Sequence, residues 1–122
     1  MKINRNQITA YKTKDGSDIR ELLHPSHTAI KNQSLAEAVI STGQITEAHS
    51  HKLTEEIYYI LEGKGQMFLG NDDFFVETGD SILIKPGQKH CIKNTGNSEL
   101  RLLCCCSPAY SHEDTFLVCP ID

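Results

Sequence analysis

The chain has 122 residues, 39% of them hydrophobic and 23% charged, with a formal net charge of −4. That is the size and composition of one globular domain able to bury a core without disulfide or metal staples. No basic run builds the positive face of a nucleic-acid binder, no apolar run approaches the roughly 18 residues of a membrane span, and the opening residues lack the apolar stretch of a signal peptide.

Glycine-led turn signals punctuate the chain, with short runs rich in β-branched, aromatic and leucine residues between them. In chain order these runs predict strands over residues 8–12, 18–23, 35–41, 55–61, 66–69, 74–76, 81–84, 90–93 and 100–106. Residues 25–33 have room for one short helical turn. Elsewhere no apolar pattern of helical period survives three turns without a glycine or proline. Evenly spaced short strands predict an all-β sandwich or barrel. Residues 1–34 read as an N-terminal extension with strands, 35–108 as the barrel core and 109–122 as a C-terminal tail returning over the surface, all within a single domain, 1–122. The interior is expected to be apolar, lined by Met67 or Phe68, by Phe75 and by one face of residues 100–106.

The five cysteines are Cys91, Cys104, Cys105, Cys106 and Cys119. An odd count with three in a row makes a poor disulfide framework, because neighbours on a strand point to opposite faces. Free thiols suit a reducing compartment, so a cytoplasmic protein is expected. The simplest account of Cys104, Cys105 and Cys106 is small apolar fillers in a buried strand.

Two segments carry chemistry. In the first, His49 and His51 stand two apart, which on a strand puts both imidazoles on one face. Lys52 to Glu55 let the chain turn. Glu56 then opens a strand on which Glu56, Tyr58 and Ile60 share a face, so a carboxylate can meet the two imidazoles. Strand phase alone does not separate Glu55 from Glu56 as that carboxylate. In the second segment Pro86-Gly87 marks a tight turn, and His90 follows at the start of another strand, from which it can supply a third imidazole.

These segments resemble the two signature motifs of the cupin superfamily. The first motif is Gly-x5-His-x-His-x3–4-Glu-x6-Gly, and Gly43, His49, His51, Glu56 and Gly63 match it without a gap. Counting back from Gly63 selects Glu56 over Glu55. The second is Gly-x5-Pro-x-Gly-x2-His-x3-Asn, matched by Gly79, Gly87, His90 and Asn94. Lys85 departs from it, standing where the family has its first proline, with Pro86 beside it. Five fixed positions match by chance with a probability on the order of 10⁻⁴.

The resemblance implies a jelly-roll β-barrel, the double-stranded β-helix of cupins, holding one divalent metal ion with His49, His51, Glu56 and His90. Imidazole nitrogens with one carboxylate suit Mn, Fe, Co, Ni, Cu or Zn better than Ca or Mg. It further implies a small metalloenzyme of dioxygenase, isomerase or lyase type acting on a small polar metabolite. The alternative is a non-catalytic small-molecule-binding module. Tyr58, on the face of Glu56, is the candidate catalytic residue. Lys85 and Lys89 stand where they would draw an anionic substrate to the barrel mouth. Asn94 reads as a tie at a strand end, His112 as a tail residue, and His24 and His27 as surface positions flanking Pro25-Ser26. No nucleic-acid or membrane partner is expected. A homodimer is, because small cupins use strands such as those in residues 1–34 to cover sheet edges.

Overall fold

A computed structural model describes residues 1–118; Cys119 and the end of the expected tail lie outside the described residues. The strands are β1 (Tyr11–Lys12), β2 (Asp18–Leu23), β3 (Ser34–Ile40), β4 (His49–His51), β5 (Glu55–Glu62), β6 (Lys64–Leu69), β7 (Asp72–Glu77), β8 (Ser81–Ile84), β9 (His90–Asn94), β10 (Leu100–Ser107) and β11 (Thr115–Leu117). They pair antiparallel in two sheets, ordered β1-β2-β3-β10-β5-β8 and β11-β4-β9-β6-β7. The fold is all-β, a jelly-roll barrel. Its helical content among the described residues is one 3-10 turn, Arg5–Gln7, and residues 25–33 hold turns where a helical turn was expected.

Strand alternation builds the core. Along β5 buried and exposed positions alternate, with Glu56, Tyr58 and Ile60 inward. On β10 Leu100, Leu102, Cys104 and Cys106 face the same interior. Ile60, Met67, Ile84, Ile92, Leu100 and Leu102 are fully buried, each side chain contributing about 1.5–3 kcal/mol by leaving water. Cys104 and Cys106 fill this core as free thiols, as the sequence suggested; Cys91 and Cys105 are also free and half-buried.

Phe75 is a correction: it is 76% exposed instead of lining the interior. Register explains this. Phe74 pairs with inward-facing Met67 and Val76 with Gly65, so Phe75, opposite Gln66, points to the other face. β11 is also absent from the expected strands. The tail is a working part of the second sheet, pairing with β4 along its full length.

The turn from β5 to β6 depends on Gly63, whose φ is +93°. A Cβ there would lie 2.7 Å from the carbonyl oxygen of Glu99 and 3.0 Å from Cα of Leu100, both backbone atoms that cannot swing aside. Gly63→Ala is expected to lower unfolding free energy by about 2 kcal/mol or more. Chemical denaturation reads this directly, and an unchanged midpoint would contradict it.

Candidate metal centre

β4 is only long enough to present His49 and His51, and its alternation turns both inward, where they are buried. β4 meets β9 through the pair His49 and His90, so the third imidazole lies directly beside the first. Ring centroids are 4.2 Å apart for His49 and His90, 5.2 Å for His49 and His51, and 5.5 Å for His51 and His90. One nitrogen from each ring lies within 4.8 Å of the others. Glu56 arrives from the opposite sheet, buried, while Glu55 is exposed. Its Oε1 lies 3.2 Å from Nε2 of His51 and 3.5 Å from Nε2 of His90. Lys85, in the place of the family proline, leaves the adjoining turn intact. Its carbonyl accepts from the Gln88 N–H at 3.1 Å, and the Gly87 N–H donates to the carbonyl of His51.

The protons on the three rings follow from their outer partners. Nδ1–H of His49 donates to the carbonyl of Glu47 at 2.9 Å, and Nδ1–H of His90 to the carbonyl of Gln88 at 3.0 Å. A carbonyl only accepts, so both rings carry their proton on Nδ1. Nδ1 of His51 lies 3.1 Å from the Thr115 hydroxyl, which already donates its proton to the carbonyl of Ser111 at 2.8 Å. Thr115 can therefore only accept, and His51 too carries its proton outward. In the neutral rings all three Nε2 lone pairs point inward, toward a carboxylate.

That is an arrangement of acceptors without donors. Glu56 Oε1 and His90 Nε2 are buried and have no hydrogen-bond partner. An unsatisfied buried polar atom costs about 1–3 kcal/mol, more if charged. A shared cation removes the cost. An ion bonded at about 2.1 Å sets neighbouring ligand atoms about 3.0 Å apart at right angles and about 3.4 Å at the tetrahedral angle. The 3.2 Å separation falls in that range and the 3.5 Å one lies just above it. The residues present fit a divalent ion of the nitrogen- and oxygen-loving kind.

Without a cation, positive charge on the facing rings would compensate the same carboxylate. Burial by itself would raise the Glu56 carboxyl, but the facing rings of His51 and His90 hold it down to about 2. Burial lowers the His51 imidazole, yet Glu56 beside it prevails and the ring is raised. Burial, helped by His90, pushes the His49 imidazole down against the pull of Asp15. The other carboxylate oxygen of Glu56 accepts from the Cys106 thiol at 3.3 Å, and burial keeps that thiol protonated.

Several residues around the site carry no motif. Asp15 comes from the N-terminal segment, its Oδ2 3.7 Å from Nε2 of His49. Thr115 and Asp114 come from the C-terminal one. The Asp114 carboxylate accepts from the backbone N–H groups of Lys52, Leu53 and Thr54, bracing the turn that carries the chain from His51 to Glu56. Glu21 and Tyr110 line the same lumen. In sequence Asp15 reads only as a turn residue, and the tail as surface; nothing local signals their destination. Tyr58 lines the lumen, buried, its ring 6.0 Å from that of His90, and burial raises its hydroxyl pKa well above the usual value. Asn94 ties a strand end as expected, donating to the carbonyls of Ile40 and Ser98 and accepting from the Gly96 N–H. Lys85 and Lys89 are exposed and do not line the lumen.

A cupin-domain family model matches residues 36–106, more than half of the chain. The chain belongs to the cupin family. An uncharacterized protein of Methanocaldococcus jannaschii is 53% identical to this cupin over 115 residues, 94% of this chain and 92% of that one. Among solved structures, a predicted oxalate decarboxylase from Thermotoga maritima superposes with a TM-score of 0.78 at 26% identity, covering 88% of this chain and 99% of that one. The polyketide cyclase RemF from Streptomyces resistomycificus superposes with a TM-score of 0.83 at 20% identity, covering 100% of this chain and 87% of that one, a likeness of fold alone.

The ring-proton assignment is directly measurable. In metal-free protein above the titration of the rings, imidazole ¹⁵N shifts should report Nδ1–H for His49, His51 and His90. Thr115→Val should abolish the preference at His51 alone. A parent protein with His51 protonated on Nε2 would refute the assignment.

Proposed function

We propose that this cupin binds one divalent transition-metal ion through His49, His51, Glu56 and His90 and acts with it on a small polar metabolite. The observation that carries this reading is the convergence of buried acceptors, two of them without any hydrogen-bond partner. The three imidazoles and Glu56 would hold the ion, and the carbonyls of Glu47 and Gln88 with Thr115 would keep the rings aimed at it. Bound there, Mn, Fe, Co, Ni, Cu or Zn supplies Lewis acidity, and the redox-active ones oxygen chemistry.

The chain's own residues supply the rest. Tyr58 stays a neutral phenol, so it can donate a hydrogen bond to a ligand in the lumen. Ile92, Leu102 and Ile40 exclude water from one side of that space. The neighbours support a small-molecule role: one is named as a predicted oxalate decarboxylase, another as a polyketide cyclase. A dioxygenase, an isomerase and a lyase all fit such a site, and a binding module without turnover is the second reading.

We also propose a cytoplasmic homodimer. The four described thiols are free, as a reducing compartment keeps them. The short β1 leaves a sheet edge at the N-terminal segment, and the outer face of the six-stranded sheet exposes Ile57, Tyr59 and Leu83, with Ile57 and Leu83 in register.

Elemental analysis of untagged protein beside the His51→Ala variant tests the metal reading. The expected result is about one equivalent of a transition metal in the parent and its loss in the variant. No metal in either, and none taken up on reconstitution, would sink it. Light scattering tests the dimer: the mass should be that of two chains, falling to one in Leu83→Glu. A parent that is already monomeric would defeat the proposal.

A further inference from the structure

The lumen extends beyond the histidines to strand β2, and its lining has an unusual charge balance. Asp15, Glu21 and Glu56 contribute carboxylates, while no lysine or arginine lines it among the described residues. The nearby cations are engaged elsewhere. Arg5, Arg20 and Arg101 lie at 2.8, 3.6 and 4.0 Å from the carboxylate of Glu37, and Lys14 donates to the carbonyls of His112 and Thr115.

Two of the lumen carboxylates are arranged to receive something. Asp15 Oδ1 is saturated, accepting from the Thr13 hydroxyl, the Ser17 N–H and the Ser17 hydroxyl, which leaves Oδ2 facing the His49 lone pair. Glu21 Oε1 accepts from the Tyr11 hydroxyl at 3.3 Å, while Oε2 is buried with no partner. A buried acceptor left this way is costly unless a donor arrives. Glu21 also lines the outer groove that carries His24 and His112, so it stands where the lumen opens.

Register describes what separates Glu21 from the metal centre. Glu21 pairs with Ala36, Ala36 with Cys104, and Cys104 with Tyr58. One row along, Ser34 pairs with Cys106 and Cys106 with Glu56. Side chains on one row of a sheet share a face, so a floor of Ser34, Ala36, Cys104 and Cys106 runs between the two carboxylates. These are small side chains, and they leave space above them.

We propose that this lumen takes an uncharged ligand bearing hydroxyl or amide donors, which lies on the small-residue floor and donates to Glu21, and that it disfavours small dianions such as oxalate. The inference rests on the metal reading above. A divalent ion is already balanced by Asp15 and Glu56, so an entering dianion brings uncompensated charge into a buried space and meets Glu21 as a like charge. An uncharged donor brings no net charge and satisfies Oε2.

Oxalate and oxamide share a planar skeleton and differ in charge, which makes them suitable probes. Full-length protein loaded with Mn²⁺ is titrated with each by calorimetry, in the parent and in Glu21→Gln, with metal content and melting temperature measured alongside. The change between the two proteins is what is read, because oxalate is intrinsically the stronger ligand for the ion. Glu21→Gln should tighten oxalate about tenfold and weaken oxamide several-fold. Glu21→Ala should move oxalate the same way. Oxalate affinity that is unchanged or weakened, oxamide binding that is tightened, or no binding of either probe to loaded parent would each overturn the proposal. Failure of the parent to take up Mn²⁺ or any other transition metal would instead defeat the metal reading, and this inference with it.

Discussion

The structure is organised around a set of inward-facing acceptors that the fold does not satisfy by itself. Three imidazoles spend their Nδ1 protons on Glu47, Gln88 and Thr115, and what remains pointing inward is lone pairs and the Glu56 carboxylate. Left alone, such a cluster is destabilising, because buried polar atoms without partners forfeit their hydration. A protein tolerates this where a ligand supplies the compensation, and here the compensation required is positive charge.

The scaffold meets the requirement by bringing both ends of the chain to the middle motif. The Asp15 carbonyl accepts from the Glu47 N–H at 2.8 Å, and Glu47 in turn orients His49. At the other end Thr115 orients His51, and Asp114 collects three backbone N–H groups from the turn that leads to Glu56. The histidines therefore report on segments that lie tens of residues away in the chain. Loosening either end would disturb the centre without removing a ligand from it.

The fold narrows the chemistry less than the lumen does. Jelly-roll barrels among the neighbours include a predicted oxalate decarboxylase and a polyketide cyclase, so architecture leaves activity open. The lumen of this chain has small residues for a floor, tyrosines at the walls and carboxylates among its lining. The lysines that looked suited to drawing an anion inward point to solvent instead.

The sequence by itself determined the all-β class, most strand positions and the family, because these depend on period-two patterning, turn glycines and fixed motif spacing, all local quantities. It also singled out the residues the structure brings together: His49, His51 and His90, with Glu56 against two of them. It failed where the outcome depended on pairing. Phe75 and Phe74 are indistinguishable until register with Met67 sorts them. Residues 115–117 look like tail until β4 offers an edge. Asp15, Glu21 and Thr115 acquire roles only when closure of the barrel brings them against histidines and a cavity. Those contacts span large sequence separations, and only the tertiary structure decided them, because a side chain's neighbours across a sheet are set by strand order and register, which local patterning does not encode.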